Sequence, residues 1–179
     1  MTVKIFKPPI SGLIEVQPKL WSDRRGLFLE MFQREVYSEL GISAVFVQDN
    51  FSRSSYGVLR GLHFQAKNPQ GKLVTCLTGR VLDVVVDLRA GSETLGQHYS
   101  TILDSEKRNQ LWIPPGFAHG FSVLSEVADF FYKCTAYYNP QDEAGIYWND
   151  PDLKIDWQVK NPIVSPKDQR LPSLGKVLA

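Results

Sequence analysis

A mainly β fold, an antiparallel barrel or sandwich, is what this sequence predicts, on three observations. Apolar residues recur with period two in Lys72-Leu-Val-Thr-Cys-Leu and in Val81-Leu-Asp-Val-Val-Val-Asp-Leu88, both rich in β-branched side chains and set between turn glycines. Strand-like runs follow one another at short intervals, separated by connections bearing Gly, Pro or Asn. Helix signals are sparse.

In chain order, residues 27–32 and 44–51 read as strands, and between them Arg34-Glu-Val-Tyr-Ser-Glu-Leu40 reads as a helix stopped by Gly41. Residues 72–77 and 81–88 are the two alternating runs. Ser105-Glu-Lys-Arg108 reads as a helical turn with Ser105 as its cap. Strands are expected at 111–113, 120–124 and 129–135, the first running into a rigid corner made by Pro114, Pro115 and Gly116. The last forty residues hold many of the prolines and two tryptophans, so they are expected to wrap over the barrel rather than form a second unit. One domain spanning residues 1–179 follows, long enough to bury a sizeable core.

Composition excludes several classes of function. A formal net charge of +1 lacks the basic excess that non-specific nucleic-acid binding needs, so no nucleic-acid partner is expected. The two cysteines, Cys76 and Cys134, sit among apolar or β-branched neighbours and are too few for a secreted disulfide framework, so both are read as buried free thiols. The first ten residues mix Lys4 and Lys7 with short apolar runs and cannot supply a signal-peptide core, and no stretch is apolar for long enough to span a bilayer. A cytoplasmic location with no membrane partner is expected.

Polar groups are densest between Gln48 and Gln65. Strict alternation from Arg60 would put Arg60, Leu62 and Phe64 on one face and Gly61, His63 and Gln65 on the other, unless Gly61 marks a bulge; the sequence leaves open which face looks inward. His63 is either a hydrogen-bonded core histidine or a catalytic one. Arg60, flanked by Leu59 and Leu62, calls for an anionic partner, for which a phosphate is one candidate. His119, just beyond the proline corner, is a ligand, a phosphate contact or a turn-stabilising donor. Asp83 interrupts an apolar strand, and a buried carboxylate costs on the order of several kcal/mol unless paired, so Asp83 is expected to face His119 or Arg60.

Gly57-Val-Leu-Arg-Gly-Leu-His-Phe-Gln65, Trp112-Ile-Pro-Pro-Gly-Phe-Ala-His-Gly-Phe121 and Trp148-Asn-Asp-Pro-Asp152 together resemble the dTDP-4-dehydrorhamnose 3,5-epimerase family. The likeness extends to Asp23-Arg-Arg-Gly-Leu-Phe-Leu-Glu30, Gly71-Lys72-Leu and Phe131-Tyr132-Lys-Cys-Thr135, and runs from about residue 6 to about residue 172. It implies a cupin-like jelly-roll barrel acting as a homodimer on dTDP-4-keto-6-deoxyglucose, without a cofactor, in dTDP-L-rhamnose biosynthesis. It further implies His63 as the base, Tyr132 as the acid on the opposite face, Lys72 as the cation at the enolate oxygen and Asp168 as the acid that orients the histidine. Arg25, Glu30, Gln48, Asn50, Arg60, His119, Glu143 and Lys167 match positions that hold the nucleotide and sugar, and Tyr138 matches an aromatic that stacks on thymine. The resemblance also implies that contacts from the stretch 25–30 come from the partner subunit. Two positions depart from the family pattern: Phe51, where histidine is common, and Pro166, which precedes Lys167 and Asp168.

Other readings compete. A metal-dependent cupin shares the Pro-Pro-Gly-Phe-Ala-His119 segment, but the second position of its His-x-His pair is Gln65 here, a poor ligand, so no metal is expected. A carbohydrate-binding module would need the arginines but not the set His63, Lys72, Tyr132 and Asp168. An epimerase acting at carbon 3 or carbon 5 alone would keep the same acid and base.

Overall fold

The computed structural model describes residues 3–179. Strands β1 (Lys4–Phe6), β2 (Ile14–Gln17), β3 (Trp21–Asp23) and β4 (Gly26–Phe28) come first, followed by helix α1 (Arg34–Glu39). The long strands are next: β5 (Gln48–Ser55), β6 (Val58–Gln65), β7 (Lys72–Thr78), β8 (Arg80–Asp87) and β9 (His98–Asp104). Strands β10 (Gln110–Ile113), β11 (Phe117–Val123) and β12 (Val127–Cys134) complete the body, and β13 (Glu143–Gly145), β14 (Ile163–Val164), a 3₁₀ turn (Asp168–Arg170) and helix α2 (Leu174–Leu178) form the tail.

Two sheets make the jelly roll. One has the order β1-β2-β10-β7-β12-β5, the other β13-β6-β11-β8-β9, with β14 added parallel to β6. Their facing sides share one core: Val74, Cys76, Leu111, Ile113, Ala128 and Phe130 from the first meet Val81, Val85, Leu103, Phe117, Phe121 and Val123 from the second. Phe121 and Phe130 stack across this gap with ring centroids 4.2 Å apart. Truncating a ring buried as deeply as Phe130 to alanine costs about 3–5 kcal/mol.

Strand β8 explains its own sequence. Val81 and Val85 point into the shared core, whereas Leu82, Val84 and Val86 pack outward against Leu153, Trp157 and Leu174 of the tail. A strand covered on both faces is apolar almost throughout. The tail therefore wraps the outer side of the second sheet, as expected from its tryptophans and prolines. On the outside of the first sheet, α1 and its flanks bury Tyr37, Ile42, Phe32 and Phe46 against Ile14, Val16, Leu73 and Trp112.

Several expectations need correction. The strand expected at 27–32 ends at Phe28, because the chain then leaves the β3–β4 hairpin so that Phe32 packs on Tyr37 and Phe46, and Gln33 caps α1 by accepting from the Val36 N–H. The strand expected at 44–51 begins only at Gln48, since Ala44 and Phe46 are drawn into the cluster around α1. Ser105 does not cap its turn: Asp104 does, accepting from the Glu106 N–H at 2.8 Å. Strands β1, β2, β3, β9, β13 and β14 were not anticipated. Cys76 and Cys134 are buried free thiols. Among the described residues, no helix is long and apolar enough to cross a membrane.

Candidate active site

A cavity of about 620 Å³ opens between the two sheets, and its wall carries Arg60, His63, Lys72, His119, Tyr132, Lys167 and Asp168. The register of β6 on β11 explains how Arg60 and His63 both reach it. His63 lies opposite His119 and Arg60 opposite Phe121, so three steps along β6 match two along β11. The extra residue is a bulge at Gly61. A Cβ at Gly61, whose φ is +132°, would stand 2.5 Å from the Gly120 Cα, so two glycines are needed for the strands to approach here. Without the bulge, Arg60 and His63 would face opposite sides of the sheet.

His63 bonds Asp168 through Nε2, 2.7 Å from Oδ1. Asp168 arrives from the tail, 105 residues further on, seated by the Gly61 N–H on Oδ2 at 3.4 Å and with its own N–H bonded to Ser165 Oγ. Burial pushes its carboxyl up, but the hydrogen bond and charge of His63, the Gly61 N–H and Ser165 outweigh that and hold it below the ordinary carboxylate range. An ionised Asp168 accepts a hydrogen bond from the Nε2–H, which leaves the lone pair of the imidazole on Nδ1. Pro166 does not prevent this delivery.

Tyr132 and Lys72 stand on β12 and β7 of the other sheet, so they face His63 across the cavity. Burial pushes the Tyr132 hydroxyl up to about 12, with the charge of Arg60 pulling the other way. The Lys72 Nζ lies 5.9 Å from the Tyr132 ring centroid and enters no salt bridge among the described residues. Desolvation lowers its pKa, opposed by Cys134, Asp83 and Glu143.

His119 pairs with Asp83 as the sequence suggested, Nε2 to Oδ2 at 2.8 Å; Arg60, the other candidate partner, instead bonds Ser54. Burial lowers the His119 pKa and raises that of Asp83. Asp83 Oδ1 is buried without a hydrogen-bond partner.

The rim is a chain of side chains. The Gln48 Oε1 accepts from the Tyr138 N–H, Gln48 Nε2 donates to Asn50 Oδ1, and the Tyr138 hydroxyl donates to Glu143 at 2.6 Å. Lys167 donates to the same Glu143 oxygen. Burial pushes Glu143 up, but Lys167 and Tyr138 hold it below its ordinary range. The Tyr138 ring stays half exposed.

Arg25 and Glu30 are not brought to this cavity. Arg25 grips Asp23 with two nitrogens on the exposed β3–β4 hairpin, and Glu30 has one buried oxygen without a partner. Phe51 is 59% exposed on the outward side of β5, away from the cavity. Gln65 turns to the loops, donating to Asn68 and Tyr137 carbonyls and accepting from the Asn139 N–H. Among the described residues no three His, Cys, Asp or Glu side chains converge as a metal site would require. Ser52, Ile163 and Val164 also line the cavity and were not anticipated. The alternation Gln48, Asn50, Ser52, Ser54 was a usable signal for the first of these.

The sequence profile described as dTDP-4-dehydrorhamnose 3,5-epimerase matches residues 7–176. The dTDP-4-dehydrorhamnose 3,5-epimerase of Pseudomonas aeruginosa is 48% identical over 179 residues, covering 99% of this chain and 97% of its own. The crystal structure of dTDP-6-deoxy-D-glucose-3,5-epimerase from Legionella pneumophila, in complex with dTDP-4-keto-L-rhamnose, is 52% identical with a TM-score of 0.94, covering 97% of this chain and 94% of that one. The Bacillus anthracis dTDP-4-dehydrorhamnose 3,5-epimerase with TDP and pyrophosphate bound is 40% identical, also with a TM-score of 0.94, covering 96% and 99%.

Proposed function

The chain belongs to the dTDP-4-dehydrorhamnose 3,5-epimerase family, and from that premise we propose that His63 and Tyr132 are the base and acid with which it inverts its sugar. It is an isomerase, an epimerase acting at carbons 3 and 5 of dTDP-4-keto-6-deoxy-D-glucose to give dTDP-4-keto-L-rhamnose in dTDP-rhamnose biosynthesis. The ketone at carbon 4 acidifies the hydrogens on its two flanks. The Nδ1 lone pair of His63 takes a proton from carbon 3 or 5, the electron pair moves onto the carbonyl oxygen as an enolate, and Tyr132 returns a proton to the opposite face. Lys72, a desolvated ammonium without a carboxylate of its own, meets the charge that develops on the enolate oxygen. Asp168 fixes the tautomer of His63 and stabilises the imidazolium that forms.

The observation that supports this reading is that His63 and Tyr132 stand on opposite sheets of one cavity, with Lys72 beside Tyr132. Arg60 and Lys167 supply positive charge for the diphosphate, the half-exposed Tyr138 ring a surface for thymine, and Gln48, Asn50, His119 and Glu143 polar contacts for base and sugar. Arg25 and Glu30, outside the cavity of their own chain, complete it in a second subunit. The exposed Trp21, Leu27 and Phe28 of the same hairpin form an apolar surface suited to that homodimer. Residues 1–179 act as one domain, in the cytoplasm, where unpaired thiols such as Cys76 and Cys134 persist.

Incubation with dTDP-4-keto-6-deoxyglucose in D₂O, followed by NMR, tests the chemistry. Deuterium is expected at carbons 3 and 5; deuterium at one carbon would narrow the activity to a single centre, and none would overturn the acid–base reading. Sedimentation of the active species tests the dimer, which an active monomer would overturn.

A further inference from the structure

Arg25, Arg53 and Arg89 each set a guanidinium fork on a carboxylate, of Asp23, Asp129 and Asp87, and Arg80 lies 3.5 Å from Asp104. Arg60 differs. Its Nε and Nη2 both donate to one neutral acceptor, Ser54 Oγ, at 3.2 and 3.1 Å, and it enters no salt bridge among the described residues. Ser54 is only 6% exposed, at the far end of β5 from Gln48, just before the turn that carries the chain from the first sheet into β6 of the second, where Arg60 stands. Its cross-strand neighbour on β12 is Ala128, which leaves the hydroxyl and the guanidinium room.

We propose that Ser54 is a positioning residue for diphosphate binding: it holds the Arg60 guanidinium toward the cavity through two hydrogen bonds while leaving its positive charge uncompensated. A carboxylate at this place would orient Arg60 equally well and neutralise it, as Asp129 does for Arg53 on the outer side of β5. A methyl group would leave the charge but free the side chain to explore its rotamers, so each binding event would have to order it. The hydroxyl does neither. Arg60 then presents its remaining nitrogens to an anion beside Lys167, on the same cavity wall. The charge left on Arg60 also reaches Tyr132, where it opposes the effect of burial. The inference rests on the reading of Arg60 as a diphosphate ligand.

The test is calorimetric titration of inorganic pyrophosphate and of dTDP into the full-length protein, with kcat and KM measured alongside. Ser54→Ala is expected to weaken both ligands about five- to tenfold, to raise KM by the same factor and to leave kcat within about twofold; Ser54→Thr restores binding. Arg60→Ala weakens binding at least as much, and Ser54→Ala added to Arg60→Ala has no further effect, because Ser54 acts through Arg60. Ser54→Asp keeps an acceptor but neutralises the charge, and is expected to bind pyrophosphate no better than Ser54→Ala. Unchanged binding in Ser54→Ala beside weakened binding in Arg60→Ala would overturn the role of Ser54 alone, as would additive losses in the double variant or full affinity in Ser54→Asp. Unchanged binding in Arg60→Ala would overturn the reading of Arg60 itself, and the inference with it.

Discussion

Two histidine–carboxylate pairs stand at the cavity wall, their histidines directly opposite each other on the neighbouring strands β6 and β11, and they are built for different ends. His63 and Asp168 are 2.7 Å apart, with the histidine side chain 29% exposed; His119 and Asp83 are 2.8 Å apart, with side chains 7% and 0% exposed. Asp168 comes from the tail and is held by a backbone N–H as well as the imidazole, so it stays ionised below its ordinary pKa. Asp83 sits in the adjacent strand and is shut in with an orphaned oxygen, so burial drives its pKa up and that of His119 down. The His119 ring lies nearly parallel to the Phe130 ring at 6.0 Å, within the aromatic stack that joins the sheets. The same two residue types thus give an open pair with an ionised acid, suited to taking a proton from a ligand, and a sealed pair suited to holding a fixed hydrogen-bond pattern. Hydration and added N–H donors make that difference; the identity of the residues does not.

The largest expected effect breaks the open pair. His63→Ala should lower turnover about 10³-fold or more and abolish deuterium exchange at both carbons while the protein stays folded by circular dichroism. Exchange retained at either carbon would make another group its base. Asp168→Asn comes next, at about 10²-fold in kcat, because an amide can donate to Nε2 and favour the unproductive tautomer; steady-state kinetics decide, and an unchanged kcat would return Asp168 to a purely structural part. The matching change in the sealed pair, Asp83→Asn, should invert the balance: stability falls by about 1–3 kcal/mol by denaturant unfolding, whereas kcat falls less than in Asp168→Asn. Should the two asparagine variants lose activity equally, the contrast between the pairs fails.

The smallest effect is in the pH dependence of stability. Asp168 has a folded pKa below its unfolded value, so its pairing is fully stabilising above about pH 4 and is lost as pH falls through the folded value. Thermal melts of the native protein should therefore drop in acid more steeply than those of Asp168→Asn. Parallel curves would mean that Asp168 binds its proton alike in both states.

Much of this was legible beforehand. The cost of an unpaired Asp83 in an apolar strand narrowed its partner to His119 or Arg60, and the family resemblance named His63, Lys72, Tyr132 and Asp168, which all meet at one cavity. Arg25 and Glu30 were named too, yet their own chain keeps them apart from it, since the β3–β4 hairpin stands off the barrel. Strands β1, β2, β3, β9, β13 and β14 went unread because they are short or flanked by polar residues, and pairing with neighbours stabilises them more than their own propensity does. The turn at 105–108 went to the wrong cap because Asp and Ser both serve there, and position relative to the last strand residue decides between them.

By itself the sequence determined the β class and the wrapped tail, because side-chain alternation and turn residues are local properties, and the inventory of candidate acid, base and cation came from the family resemblance. Only the tertiary structure decided which of these groups share a face. One extra residue in β6 reverses the direction of everything beyond it, and that reversal is specified by the close approach of Gly61 to Gly120 on another strand. Likewise the partner of His63 is chosen by a tail closing over 105 residues, where packing of Trp157, Leu174 and their neighbours, rather than any local signal, decides where Asp168 comes to rest.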